Sequence, residues 1–208
     1  MRTLIKEINT LKLQPIKKVI DDRIKEFQKV GRKSSKELFK ELCFCTLTAN
    51  FNAERGIQIQ KTINNGFLTF TEKKLAKELK KLGHRFPNAR ANYIHTNQKY
   101  KDNLKKTLSS HKSSYESREW LEKNIKGLGF KEASHFLRNI GYENLAIIDF
   151  HIINLLAKHN LTESTRTISK KKYIEIEIIL SKIGEKTKLN LAELDLYLWY
   201  METNKVLK

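Results

Sequence analysis

The sequence predicts an all-α protein. Punctuation is sparse, with two prolines and eight glycines in 208 residues. Apolar residues recur at spacings of three and four almost throughout, the period of a helix face. Only two stretches, 67–71 and 145–148, have the composition of extended chain, and both are too short to build a sheet.

Taken in order, Ile16, Val19, Ile20, Ile24 and Phe27 follow Pro15 at helical spacing, so Pro15 opens a helix that Gly31 ends. Ser34 followed by Glu37 reads as a capping box, starting a helix through Leu38, Leu42 and Phe44 to about Thr48. The next helix begins near Asn52 and stops before Asn64, Asn65 and Gly66, a turn signal. Thr71 caps a helix with Leu75, Leu79 and Leu82 inward and Gly83 at its end. Arg85-Phe86-Pro87-Asn88 is an exposed connection into one long helix carrying Ala91, Ile94 and Leu104. A polar, Ser-rich loop follows over 107–114. Helices resume at about Tyr115, at Phe130, after Asp149, after Ser169 and after Asn190, where Glu193 completes a second capping box.

The formal charge is +18, from 41 Lys and Arg against 23 Asp and Glu, and it is interleaved with apolar and aromatic residues instead of confined to a tail. A folded, basic surface of this kind attracts polyanions through counterion release and long-range steering, which makes nucleic acid the leading partner. No apolar run approaches the length that spans a bilayer, and MRTLIKEINT is too polar for a signal peptide, so the expectation is no membrane and a cytoplasmic location, on DNA. Cys43 and Cys45, the only cysteines, are too few for a thiolate cluster and too close for a disulfide; they read as buried small residues, and no metal or organic cofactor is expected.

Chemistry concentrates in 124–137. Two helices meet at Gly127-Leu128-Gly129, where glycines on both sides of one apolar residue allow a sharp turn and clear the way for a phosphate to reach the N–H groups of the following helix. Leu128 would pin the turn to the core. Such a helix-hairpin-helix element grips DNA through backbone amides and ignores sequence. Lys131 falls in the first turn of the second helix, where a cation opposes the helix dipole, so stability is not its purpose. Asp149 follows the apolar run Leu145-Ala146-Ile147-Ile148 and is a helix cap, a catalytic group in a partly dry site, or both. A lysine amine near a carboxylate is what a DNA glycosylase with lyase activity requires: the amine attacks the anomeric carbon, the base leaves, and the Schiff base permits β-elimination.

Residues 127–142 together with Ala146-Ile147-Ile148-Asp149 resemble the helix-hairpin-helix DNA glycosylase superfamily. More closely they are similar to the compact, largely archaeal 8-oxoguanine DNA glycosylase/AP lyase family, the second of the 8-oxoguanine glycosylase families. The likeness continues in Glu41-Leu42-Cys43-Phe44-Cys45, Leu47-Thr48-Ala49-Asn50-Phe51, Gly83-His84-Arg85-Phe86, Leu194-Asp195-Leu196-Tyr197 and Trp199-Tyr200, so it covers almost the whole chain. It implies one glycosylase unit over 1–208, with the hairpin and catalytic segment at about 115–150, built as two closely packed helical subdomains around a lesion cleft. It implies Lys131 as the Schiff-base nucleophile, Asp149 as its acidic partner, and Phe86 and Trp199 as the faces that sandwich a flipped base. Lys208 would tell 8-oxoguanine from guanine: oxidation turns N7 from an acceptor into an N–H donor, which an acceptor such as a terminal carboxylate favours. Asp195 would meet the base edge, and Gly127, Gly129, Asn50 and His151 would contact DNA. The partner so implied is duplex DNA carrying 8-oxoguanine or an abasic site, met by a monomer.

Other readings stand beside these. Trp199 fits core packing with Leu196 and Tyr200, Asn50 an ordinary helix end, Asp195 an exposed helix position, and His135 a hydrogen-bonded residue of the hairpin region. The chain also departs from the family pattern, with Phe150 where an Arg commonly follows the catalytic Asp, ahead of His151. From another class, a non-catalytic helix-hairpin-helix DNA-binding module fits the same charge and hairpin.

Overall fold

The computed structural model describes residues 1–165 and 167–208. Among them it contains thirteen α-helices and one 3-10 turn, as the helical period requires. In order, α1 is Arg2–Leu11, α2 Ile16–Gly31, α3 Ser35–Thr48, α4 Ala53–Ile63, α5 Gly66–Thr69, α6 Glu72–Lys81, α7 Pro87–Asn97, α8 Leu104–Ser109, α9 Ser114–Asn124, α10 Phe130–Asn139, α11 Phe150–Lys158, α12 Lys170–Thr187 and α13 Leu191–Thr203. The chain divides into two units, one formed by Met1–Gln28 with Gly141–Lys208, the other by Lys29–Ile140. No helix among the described residues is long and apolar enough to cross a membrane.

In the first unit, one face of α2 packs on α13: Ile20, Ile24 and Phe27 bury against Ala192, Leu196 and Tyr197. Burial, with Asp21 and Glu193 nearby, pushes the Tyr197 phenol up to about 12, so it stays neutral in the core. Asn190 and Glu193 form the expected capping box at α13, each side chain bonding the other's backbone N–H at 2.9 Å. Val19 is half exposed and does not join the core. Helix α1, which the sequence did not predict, buries Leu4 and Ile8 and contacts α12 and α13. Two apolar anchors one turn apart, without a capping side chain, are too faint a signal to mark it.

In the second unit α3 is the central element. Residues from Leu38 to Thr48 are almost all buried, and α4, α5, α7, α8 and α10 pack around it; a helix apolar on every side belongs in a core. Cys43 and Cys45 are buried on it as expected. Its one buried carboxylate, Glu41, accepts hydrogen bonds from Gln60 Nε2 at 3.0 Å and Asn139 Nδ2 at 2.7 Å.

Three expectations fail here for identifiable reasons. Ser34 is the N-cap residue of α3 but makes no side-chain cap bond, because the Glu37 carboxylate is held by Lys40 Nζ at 2.5 Å instead of reaching back. Residues 67–69 form a one-turn helix, not extended chain: Gln98 Nε2 bonds the Phe67 and Phe70 carbonyls and Lys101 Nζ the Leu68 carbonyl, satisfying groups that a strand would have paired. The long helix after Pro87 breaks at Asn97, passes through a 3-10 turn at Gln98–Tyr100, and restarts as α8 at Leu104, so the loop of 107–114 shrinks to 110–113. The side chain of Asn97, the last residue of α7, is bonded to the hairpin at Lys126.

Candidate active site and DNA-binding hairpin

Helices α9 and α10 meet through Ile125 to Gly129. Leu128 is buried, its N–H bonding Ile125 O at 3.2 Å to close the turn. Gly127 is required twice over: its φ is +83°, and a Cβ there would stand 2.2 Å from the Tyr93 ring of α7. Gly129 plays a different part from the one expected. Its φ of −90° is ordinary extended backbone, and it is the residue preceding α10, where no side chain caps the helix. The positive φ that the turn needs falls on Gly127, while Gly129 leaves α10 without a capping side chain.

Asn97 clamps the turn, its Nδ2 donating to Lys126 O at 2.9 Å and its Oδ1 accepting from Lys126 N–H at 3.0 Å. The hairpin is stiffened from within by the buried Arg118 of α9, whose guanidinium lies 4.0 Å from the Phe130 ring centroid and donates to Ser134 Oγ at 3.2 Å. Sequence reasoning missed both residues, since the bonds that define their roles join positions distant in the chain.

Lys131 stands in the first turn of α10 with its side chain 28% exposed and its Nζ 3.6 Å from Glu132 Oε1. Phe86, 37% exposed, is the N-cap residue of α7. It sits between two cations, Arg85 at 5.0 Å and Arg90 at 5.7 Å from its centroid. Arg90 is buried, and its Nη2 donates to Ala49 O at 2.6 Å. Desolvation lowers the Arg90 pKa from its ordinary value, with no consequence for a guanidinium at neutral pH. Asn50 follows the end of α3 in the left-handed region, φ +58°, the conformation of an ordinary helix C-terminal Asn. His84 is buried, with both ring nitrogens engaged, and burial holds its pKa below the usual imidazole value. His135, also buried, lies against Asn139 and edge-on to Phe44.

All of these lie in the unit of 29–140, whereas Asp149, His151, Asp195, Trp199 and Lys208 belong to the other. Asp149 is the N-cap of α11, with Oδ1 accepting from Ile152 N–H at 3.0 Å. The apolar run before it is extended and buried, and α12 satisfies its backbone in place of a neighbouring strand. Tyr173 OH donates to Ala146 O at 2.7 Å and accepts from Ile148 N–H at 3.2 Å, while Glu177 Oε1 accepts from Ala146 N–H at 2.8 Å. Two buried side chains thus fix the backbone that delivers Asp149. Tyr173→Phe leaves an amide and a carbonyl unpaired, and it is expected to lower stability by about 1–3 kcal/mol in urea unfolding. A change within about 0.3 kcal/mol would show that water replaces the hydroxyl.

After Asp149 comes Phe150, 58% exposed and outside the core. Its ring lies 3.8 Å from that of His151, which meets the half-buried Trp199 edge-on at 5.1 Å. Trp199 Nε1 is buried without a hydrogen-bond partner. Asp195 lines a shallow recess, with room for no more than a water, whose other walls include Ala146, Ile147, Leu180 and Leu198. Lys208 is partly buried. Among the described residues no three His, Cys, Asp or Glu side chains are grouped to hold a metal ion.

An all-helical fold, a glycine turn clamped between two helices and a helix N-terminus without a capping side chain beside a lysine define a helix-hairpin-helix protein. The chain belongs to the 8-oxoguanine DNA glycosylase family, whose helix-hairpin-helix model matches residues 20–189. The 8-oxoguanine DNA glycosylase/AP lyase of Methanocaldococcus jannaschii is 54% identical over 206 residues, 99% of each chain. That of Korarchaeum cryptofilum is 48% identical over 99% of this chain and 98% of its own. The solved structure of the M. jannaschii enzyme in complex with a 15mer DNA containing 8-oxoguanine superposes with a TM-score of 0.96 at 53% identity, covering 99% of this chain and 100% of that one. The Thermotoga maritima 8-oxoguanine DNA glycosylase gives 0.93 at 42% identity, covering 100% and 99%.

Proposed function

We propose that this protein is a bifunctional 8-oxoguanine DNA glycosylase/AP lyase acting on duplex DNA, with Lys131 as nucleophile and Asp149 as its acidic partner. The observation that carries the reading is the placement of Lys131, part exposed in the first turn of the helix that the hairpin presents to a phosphate backbone. A lysine set against the helix dipole does not serve helix stability, which leaves its amine for the DNA. Full-length similarity to enzymes of this name supports the same conclusion.

In the proposed reaction the neutral Lys131 Nζ bonds to C1′ of the damaged nucleotide as the N-glycosidic bond breaks, and that bond's electron pair leaves with the base. The attached nitrogen passes one of its two protons to the departing base, and O4′ takes up a proton as the C1′–O4′ bond opens, which leaves a protonated Schiff base. Removal of a proton from C2′ then expels the 3′ phosphate. The Asp149 carboxylate offsets the cationic sugar and assists proton movement. Phe86 and Trp199 stack on the extruded base, and Asp195 and Lys208 read its edge. Gly127, Gly129, Asn50 and His151 meet the DNA, a duplex carrying 8-oxoguanine or an abasic site bound by a monomer.

Incision of a labelled duplex with a single 8-oxoguanine, against the same duplex with guanine, tests the assignment: cleavage of the first alone is expected, and cleavage of neither removes it. Deleting Lys208 is expected to slow 8-oxoguanine excision about tenfold or more while leaving incision at a preformed abasic site within about twofold. Equal losses on the two substrates would take Lys208 out of base recognition.

A further inference from the structure

His84 joins the end of α3 to the turn that carries Phe86. Its Nε2 lies 3.0 Å from Leu47 O, and the Phe86 N–H donates to its Nδ1 at 3.0 Å. A carbonyl can only accept and a backbone N–H can only donate, so Nε2 holds the hydrogen and Nδ1 is bare. One tautomer of the neutral ring satisfies both partners, whereas an imidazolium would set N–H against N–H at Phe86. The ring is enclosed, 4% exposed and stacked on Phe51 at 4.2 Å. Burial, together with the charges of Arg90 and Arg55, keeps it neutral against the opposing pull of the Leu47 carbonyl. Arg90 repeats the connection, reaching from beside the Phe86 ring to Ala49 O. Two side chains therefore tie the Phe86 turn to the backbone immediately before Asn50.

We propose that His84 is a positioning residue for lesion recognition: as the neutral Nε2–H tautomer it fixes the Phe86 ring against the end of α3, so that engagement of the base depends on it and cleavage at an abasic site does not. The proposal rests on Phe86 stacking on the extruded base.

Two substitutions separate the halves of the clamp. In His84→Asn the side-chain oxygen can take the place of Nδ1 and accept from Phe86 N–H, while in His84→Gln the side-chain amide can take the place of Nε2 and donate to Leu47 O. Single-turnover excision of 8-oxoguanine, incision at a preformed abasic site and amide hydrogen exchange at Phe86 are measured for both, beside Phe86→Ala. His84→Gln is expected to lose exchange protection at Phe86 and to slow excision about tenfold, as Phe86→Ala does, with abasic incision within about twofold. His84→Asn is expected to retain protection at Phe86 but to slow excision as well, because the bond to Leu47 O that anchors the turn to α3 is cut.

Wild-type excision in both variants, or equal loss on the two substrates, would leave His84 a purely structural residue and overturn the proposal. If Phe86→Ala excises at the wild-type rate, the stacking reading fails and lesion recognition goes with it, while exchange at Phe86 still decides the clamp. Should neither His84 variant fold, the ¹⁵N shifts of the wild-type ring answer the same question: protonated Nε2 with bare Nδ1 is expected, and the opposite tautomer or a charged ring at neutral pH overturns the proposal.

Discussion

Lys131→Gln is expected to abolish both base excision and strand incision, lowering single-turnover rates at least about 10³-fold, the scale of losing a covalent nucleophile. The fold should survive. The side chain pairs with the part-exposed Glu132, 3.6 Å away, and such a pair contributes about 0–1 kcal/mol. DNA affinity should survive too, because one cation is removed from a chain whose formal charge is +18. A folded variant that binds the duplex and does not cut it separates chemistry from recruitment. Retention of even a tenth of the wild-type rate would place the nucleophile elsewhere.

The second large effect is expected at Asp149, where the structure allows a cleaner experiment than alanine. Asp149 caps α11 through Oδ1, a bond that the Asn side-chain oxygen reproduces, and Asn and Asp are nearly equivalent as N-caps. Asp149→Asn should therefore unfold within about 0.5 kcal/mol of wild type while excision falls by about 10²–10⁴-fold, the range of general acid–base and electrostatic assistance. Asp149→Ala adds a stability loss of about 1 kcal/mol from the missing cap. If the Asn variant keeps full activity and the Ala variant loses only stability, Asp149 is a cap and nothing more.

The two residues on which these expectations rest were legible because their signals are local. Lys131 follows a glycine turn within four residues, and Asp149 ends an apolar run it adjoins. The same holds for the fold: Pro15 ahead of α2 and Asn190 with Glu193 at α13 mark boundaries through contacts a few residues long. The failures share the opposite character. The Ser34–Glu37 box is lost to competition from Lys40, and residues 67–69 coil because Gln98 and Lys101, far along the chain, take up the carbonyls there.

What holds the site in place is almost wholly of this second kind. Asn97 clamps the hairpin turn, Tyr173 and Glu177 stand in for a neighbouring strand, and His84 bridges α3 to Phe86. None carries a mark that periodicity or spacing could reveal, since an Asn, a Tyr or a His at those positions is ordinary until the fold supplies its partner. The exposure of Phe150 is a further case. The sequence left open what its ring does, and in the fold it is exposed and lies against the His151 ring, a contact that periodicity does not reveal.

The central claim is that Lys131 forms a covalent bond to the sugar from which the base departs. Borohydride reduction during reaction with a duplex carrying one 8-oxoguanine tests it directly, because only a Schiff base is converted to a stable cross-link. Wild-type protein is expected to yield a protein–DNA adduct that peptide mapping assigns to Lys131, and Lys131→Gln is expected to yield none. Absence of an adduct from the wild type, or its persistence in Lys131→Gln, would contradict the mechanism.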